Sequence, residues 1–250
     1  METEQKGISA YWLKIIAITG MVLQHAALSL SGVFPLPLEI FLQLAGGLTF
    51  PIMAFFIVEG FRATSDLDKY KRRILIFGAI SIVPHLFSLG SGLNIMFTLF
   101  FGLIALELRK KHGNSPKFWV LFILLLLASS LFDWGVVGLV VILLYDIIKN
   151  EKTRRIVGPI VAVVGSMVYS VILVNLLGDF IDMEAMMADT TIAGAFFPVG
   201  MLLAIPLLLM YKGERGPRMR WLFYTFYPVH LAVLAVLSII LGTNNLLNMF

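Results

Sequence analysis

The chain has 250 residues, 59% of them hydrophobic and only 14% charged, where an ordinary soluble domain is about half apolar and a quarter charged. With a mean hydropathy of +0.93, this composition excludes a soluble enzyme, a disordered chain and a nucleic-acid-binding module. There is no cysteine, so disulfides, thiolate metal sites and a cysteine nucleophile are excluded as well.

About 17–25 apolar residues cross a bilayer as a helix. Nine spans are predicted in chain order, at 12–31, 38–61, 74–89, 93–108, 118–132, 135–148, 156–177, 191–211 and 222–242. The third to sixth are short. Turn signals punctuate them at Gly90-Ser91-Gly92, Gly113-Asn114-Ser115-Pro116 and Asp133-Trp134-Gly135. The first run is too long for a leader peptide and carries Lys14 and His25, so it reads as a retained span. No connection is long enough to fold separately. Residues 1–250 read as one all-α, polytopic membrane helix bundle, and the bundle itself must hold the function.

Basic residues orient the spans, because cytoplasmic loops retain Lys and Arg. Lys6 and Lys14 lie at the start. Arg62, Lys69, Lys71, Arg72 and Arg73 lie between spans two and three. Arg109, Lys110, Lys111 and Lys117 lie between four and five. Lys149, Lys152, Arg154 and Arg155 lie between six and seven, and Lys212, Arg215, Arg218 and Arg220 between eight and nine. These are all 19 basic residues. The alternate connections carry Glu39, Asp133, Asp179, Asp182, Glu184 and Asp189 instead. Nine crossings with a cytoplasmic N-terminus and an external C-terminus account for this segregation. The net charge of +4 is then mostly a topology signal. The membrane is expected to be the plasma or inner membrane, with lipid as the surrounding partner and no nucleic acid.

Ionisable residues at membrane depth are candidates for function. Lys14 and His25 lie eleven residues apart, about 16 Å along a helix, and Lys14, Ile18, Met21 and His25 share one face. Two readings stand: a snorkelling lysine with a carbonyl-bonded histidine, or a functional pair. His230 follows Pro228, and is either a donor that satisfies a kink or a second site residue. His85, after Pro84, reads as an interfacial histidine beside a helix end. His112 reads as solvated. Glu59 lies three residues before Arg62, which suits a local ion pair, and Pro51 is expected to bend its span. Asn94 and Thr98 are one turn apart and either bond across helices or line a pocket. Asp133 suits a helix cap. No GxGxxG, P-loop, HExxH or GxSxG motif is present, and the four histidines have no metal-ligand spacing, so no metal is expected. A histidine general base remains available near neutral pH.

Five segments then fall in order. They are Lys14-Ile15-Ile16-Ala17-Ile18 through Met21 to His25; the run Phe50-Pro51-Ile52-Met53-Ala54-Phe55-Phe56-Ile57-Val58-Glu59-Gly60-Phe61-Arg62; Leu93-Asn94-Ile95-Met96-Phe97-Thr98-Leu99; Asp133-Trp134-Gly135; and Phe226-Tyr227-Pro228-Val229-His230-Leu231. In this register, over nearly the whole chain, they resemble the TraX family of polytopic membrane proteins. The resemblance implies N-terminal acetylation of a pilin subunit, with acetyl-CoA as co-substrate, during conjugative pilus production. It also implies kinship with a larger group of transmembrane acyltransferases, some of which acylate surface sugars. Many of that group carry a basic residue followed eleven positions later by a histidine in the first span, which Lys14 and His25 match. Relatives often show Asp-His where this chain has Gln24-His25, so a carboxylate beside the candidate base is missing. Position 24 lies about 100° round the helix from His25.

On that resemblance His25 is the expected general base for an acceptor amine or hydroxyl. Asn94, Thr98 or His230 would donate to the oxyanion. Lys14, or the cluster Lys71, Arg72 and Arg73, would hold the phosphates of the donor. Glu59, His85 and Asp133 are further candidates. The expected acceptor is a pilin-like protein or a surface molecule. A transporter or flippase without group transfer, and a non-enzymatic assembly factor, stay open as alternatives. Pro51, Pro84, Pro206 and Pro228 interrupt spans as transporter helices often are, but there is no internal repeat.

Overall fold

A computed structural model describes residues 7–90, 93–177, 192–217 and 220–244. Among these residues the structure is all-helical apart from one isolated bridge between Ile8 and Tyr211. The helices are α1 (Ala10–Ser29), α2 (Leu36–Gly47), α3 (Thr49–Ala63), α4 (Leu67–Ile80), α5 (Ile82–Leu89), α6 (Ile95–His112), α7 (Pro116–Ser129), α8 (Gly135–Ile147), α9 (Glu151–Leu177), α10 (Phe197–Leu209) and α11 (Arg220–Ile240). A single 3-10 turn, Gly194–Phe196, leads into α10. Lys6, Ser91, Gly92, Asp179, Asp182, Glu184, Asp189 and Arg218, assigned to connections above, lie outside the described residues, as does the first position of the 191–211 range.

Local chemistry sets several boundaries. The Asp66 carboxylate caps α4 by accepting from the Lys69 N–H at 2.9 Å. The Asn94 side chain caps α6 by accepting from the Met96 N–H at 3.1 Å. Ser115 and Pro116 open α7 as N-cap and first helical residue. Gly90 ends α5 in the left-handed conformation, at φ 76°, which a Cβ would oppose. The prolines act as breakers. Pro84 has no N–H for the Ile80 carbonyl, and α4 and α5 meet there at a 47° bend. Pro51 cannot serve the Gly47 carbonyl, and the span predicted at 38–61 is divided at Leu48 into α2 and α3.

The core gathers on α3. Phe50, Ile52, Ala54, Phe55, Ile57 and Val58 are all buried, with α1, α6, α8 and α10 packed around them. The outward faces are apolar too. Val164, Met167, Val168 and Val171 on α9 are exposed, as are Val120, Ile123, Leu124 and Leu127 on α7. Exposed stripes of this kind belong against lipid. Among the described residues four stretches are long and apolar enough to cross a membrane, Ala10–Ser29, Leu36–Ala63, Glu151–Ile172 and Trp221–Ile240, or five if the bent pair α4 and α5 is taken as one span. The helices Pro116–Ser129 and Gly135–Ile147 and the stretch Gly194–Leu209 are apolar but shorter. The described residues are therefore those of an all-helical membrane protein.

Hydrogen bonds gather the connections at two ends. Ile8 bonds to Met210 and Lys212, Arg155 donates to the Tyr211 carbonyl at 3.0 Å, Arg62 pairs with Asp146 at 3.2 Å, and Lys71 with Glu107 at 2.7 Å. The basic segments thus share one end. At the other end, Thr243 donates to the Ser29 carbonyl at 3.0 Å, Asn244 to the Phe87 carbonyl at 2.7 Å, and the Asp133 N–H to the Leu93 carbonyl at 3.0 Å.

Candidate functional site

The shared face of α1 opens onto two cavities. Ile18, Met21, Gln24 and His25 line a cavity of about 600 Å³ towards the second end. Lys14 lines a smaller one, of about 120 Å³, towards the basic end. Met53, Met96, Leu99 and Phe223 border both, so the two cavities share an apolar wall. The Lys14 ammonium lies over the rings of Phe56 and Phe223, at 4.9 and 5.7 Å. Among the described residues no carboxylate pairs with it, and the nearby charge of Arg215 has the same sign.

His25 is buried and meets His230, Nδ1 to Nε2, at 2.9 Å. The rings are nearly parallel, at 13° with centroids 5.2 Å apart. His230 Nδ1 reaches back one turn to the Phe226 carbonyl at 2.9 Å. This chain of contacts determines the tautomers. A carbonyl oxygen only accepts, so His230 Nδ1 carries the proton. Neutral His230 then accepts on Nε2, and His25 donates from Nδ1. His25 Nε2 is left with a bare lone pair, as a general base requires. His230 bonds the Phe226 carbonyl, not the Tyr224 carbonyl that Pro228 leaves unserved, and holds His25 with its other nitrogen.

His85 is buried on α5 and lines the same cavity, close enough to act electrostatically on both other histidines. It is thus a third imidazole at the cavity, where the sequence suggested an interfacial one. Asp133 also lines the cavity. Its side chain is exposed, but the protein packed around it pushes its carboxyl up to about 6, against the pull of the Trp134 N–H. The expected helix cap is not its side chain's part. Trp134 stands at the N-cap of α8 with φ 61°, a left-handed non-glycine residue. Its ring stacks on Phe50, centroids 3.9 Å apart at 9°. A left-handed residue costs roughly 1–2 kcal/mol, and such strain gathers at functional sites.

Asn94 and Thr98 are fully buried behind the cavity wall and do not line it. The Asn94 amide donates to the Gly78 carbonyl at 3.0 Å, and the Thr98 hydroxyl to the Asp133 carbonyl at 2.6 Å. Both tie helices together. The basic cluster is dispersed as well, because consecutive residues point about 100° apart. Lys71 is held by Glu107 and by Asp68, at 2.7 and 2.9 Å. Arg72 is exposed, and Arg73 lies over Tyr70 and Tyr224. Glu59 makes the expected pair with Arg62, at 3.6 Å, but a closer one at 2.7 Å with Arg154, a cation only 2% exposed.

Tyr227, Trp134 and Gln24 line the cavity without a role expected from the sequence. Tyr227 and Trp134 sat inside quoted segments, and a tyrosine two positions before a candidate catalytic histidine's neighbour was the available signal. Gln24, a departure from the family pattern, lines the cavity. Its stem lies where a Cβ on Gly46 would sit.

Comparison with known proteins places this architecture. A family model described as TraX protein matches residues 9–238. The probable fimbrial assembly protein FimC, serogroup H1, of Dichelobacter nodosus is 30% identical over 242 residues, covering 90% of this chain and 94% of that protein. No solved structure matches.

Proposed function

The chain belongs to the TraX family, and from that premise we propose that it is a membrane-embedded acyltransferase serving pilus or fimbria biogenesis. It moves an acetyl group from acetyl-CoA to an amine or hydroxyl of a pilin-like or surface acceptor. The observation that carries this reading is the contact at 2.9 Å between His230 and His25, a residue that lines a large cavity; it leaves His25 Nε2 unprotonated. The fimbrial assembly role in the name of the Dichelobacter nodosus relative supports a pilin-like acceptor.

The donor enters from the basic end, which faces the cytoplasm in a plasma-type membrane, with nine crossings in all. Lys14 meets its polyanionic part, since that ammonium lacks a counter-charge among the described residues. The acyl arm passes the apolar wall of Met53, Met96, Leu99 and Phe223 and brings the thioester to His25. The axial distance of about 16 Å from Lys14 to His25 suits an extended arm of that kind. Lys71 is neutralised by Glu107 and Asp68, so Lys14 is the favoured donor contact.

The test uses the purified full chain in detergent, with acetyl-CoA binding and CoA release measured beside His25→Ala and Lys14→Ala. Wild type should bind saturably and release CoA slowly. His25→Ala should bind but turn over about 10²–10⁴-fold more slowly, and Lys14→Ala should bind more weakly. A folded wild type that binds no acetyl-CoA at saturation sinks the reading. The relative's name also favours a second reading, an assembly factor without group transfer. That reading predicts a pilin complex indifferent to His25→Ala.

A further inference from the structure

Gln24 precedes the candidate base on α1, and α2 holds its side chain in place. A Cβ on Gly46 of α2 would lie 2.3 Å from the Gln24 Cβ, 2.8 Å from its Cγ and 3.0 Å from its Cδ. Glycine at 46 thus leaves the space that the Gln24 stem fills, as far as the amide carbon. A stem packed over three carbons gives up its rotamer freedom on folding, so it has less to lose when a ligand binds. Gln24 is half-buried and lines the large cavity. Its amide makes no hydrogen bond to any described residue.

The acyl-transfer chemistry proposed above needs a donor for the developing oxyanion as well as a base. The donors expected from the sequence are spent elsewhere. The proton of His230 goes to the Phe226 carbonyl. Asn94 and Thr98 give theirs to the Gly78 and Asp133 carbonyls. Thr49, on the cavity wall, donates to the Ala17 carbonyl at 2.9 Å. Asp133 as a carboxylate only accepts. Among the described residues Gln24 is the one side-chain amide on that wall, and an amide N–H donates at any pH at which the protein is folded. His85 and Trp134 also bring ring nitrogens to the cavity, but from other elements. Gln24 shares α1 with His25, so one rigid helix fixes the spacing of donor and base.

We propose that Gln24 is a catalytic residue whose amide N–H donates to the carbonyl oxygen of a bound acyl thioester as negative charge develops there. This rests on the acyltransferase reading. The acceptor's nitrogen or oxygen attacks the carbonyl carbon and forms the new bond. Its proton passes to His25 Nε2, and the carbonyl pair moves onto the oxygen held by Gln24. On collapse that pair returns and the C–S bond breaks. The departing thiolate takes the proton from His25, and Gln24 keeps both of its protons throughout.

The experiment compares wild type, Gln24→Met and His25→Ala as full chains in detergent, with acetyl-CoA as donor and water as the surrogate acceptor. Methionine keeps the unbranched stem against Gly46 and removes the N–H. Melting temperature, acetyl-CoA affinity and the rate of CoA release are read for each. Isotope-edited infrared spectra of acetyl-CoA labelled at its thioester carbonyl add a reading that needs no turnover. A hydrogen bond to that oxygen lowers the stretch relative to free acetyl-CoA. Wild type and His25→Ala should both show the lowered stretch. Gln24→Met should lose it, bind acetyl-CoA within twofold of wild type, and release CoA about 10²–10³-fold more slowly. A Gln24→Met form that keeps the lowered stretch, or that turns over as fast as an active wild type, overturns the Gln24 assignment and leaves the acyltransferase reading standing. A wild type whose bound carbonyl absorbs where the free one does has the same consequence, as does a Gln24→Met form that melts lower and loses binding. A wild type that neither binds acetyl-CoA nor releases CoA overturns both together.

Discussion

At the residue scale, the order of protons along α11 and α1 matters more than any single histidine. The Phe226 carbonyl orients His230, and His230 orients His25, in the way a buried orienting group holds the base of a hydrolytic triad. Asp133 supplies a separate, measurable signal. Its carboxyl is raised by the protein packed around it to about 6, above the ordinary value of about 3.9, so folding favours the protonated form. That stability is fully present below the unfolded value and is lost as pH rises through about 6. The wild-type melting temperature should therefore fall between about pH 4 and pH 7 by a component that Asp133→Asn lacks, on the same linkage. Parallel melting curves for the two proteins across that range would show that this carboxyl is not raised.

At the element scale, two kinds of device hold helices together. Glycines allow backbones to touch. A Cβ on Gly200 of α10 would meet the Leu44 carbonyl of α2, and one on Gly47 would meet the Phe197 carbonyl. This is the small-residue contact that lets membrane helices pack without a hydrophobic driving force between them. Backbone carbonyls cannot swing aside as side-chain ends can. Gly200→Val should therefore lower stability by roughly 1–3 kcal/mol, visible as a lower melting temperature in detergent. An unchanged melting temperature would show that α2 and α10 do not approach so closely. Polar side chains supply the second device. Arg154 of α9 joins Glu59 of α3 and lies over the Phe55 ring at 4.7 Å, while Tyr145 of α8 donates to the Pro51 carbonyl at 3.1 Å.

At the scale of the whole molecule, charge and hydropathy divide the bundle. Basic connections meet at one end, and the turn carrying Asp133 and the described C-terminal residues meet at the other. The chain lacks cysteine, so single cysteines report sidedness without a background. Asn114→Cys and Leu131→Cys place a thiol on exposed connections before and after α7. In intact cells a membrane-impermeant thiol reagent should label Leu131→Cys and leave Asn114→Cys unlabelled until the cells are lysed. Equal labelling of both in intact cells would defeat the crossing of α7 and the proposed orientation.

Much of the helical layout was legible in one dimension because it is governed by one-dimensional quantities. Apolar run length, proline position and the segregation of Lys and Arg each depend only on the chain and the bilayer. The face shared by Lys14 and His25 follows from helical periodicity in the same way, and both residues do line cavities on that face. What lies opposite them does not follow. Residues 25 and 230 are brought together by the contact of α1 with α11, and no local pattern encodes a 2.9 Å contact between positions 205 apart. The same reason separates Asn94 and Thr98 from the cavity. Their spacing made them neighbours on α6, but only packing decided that their donors face Gly78 and Asp133. Tyr227 is the converse case. Its type and position were plain in the chain, whereas its edge-on contacts with His25 and His230 are a property of everything packed around it. Local covalent order thus determined the helices and their polarity, and tertiary packing alone decided which polar groups are satisfied and which face the cavity.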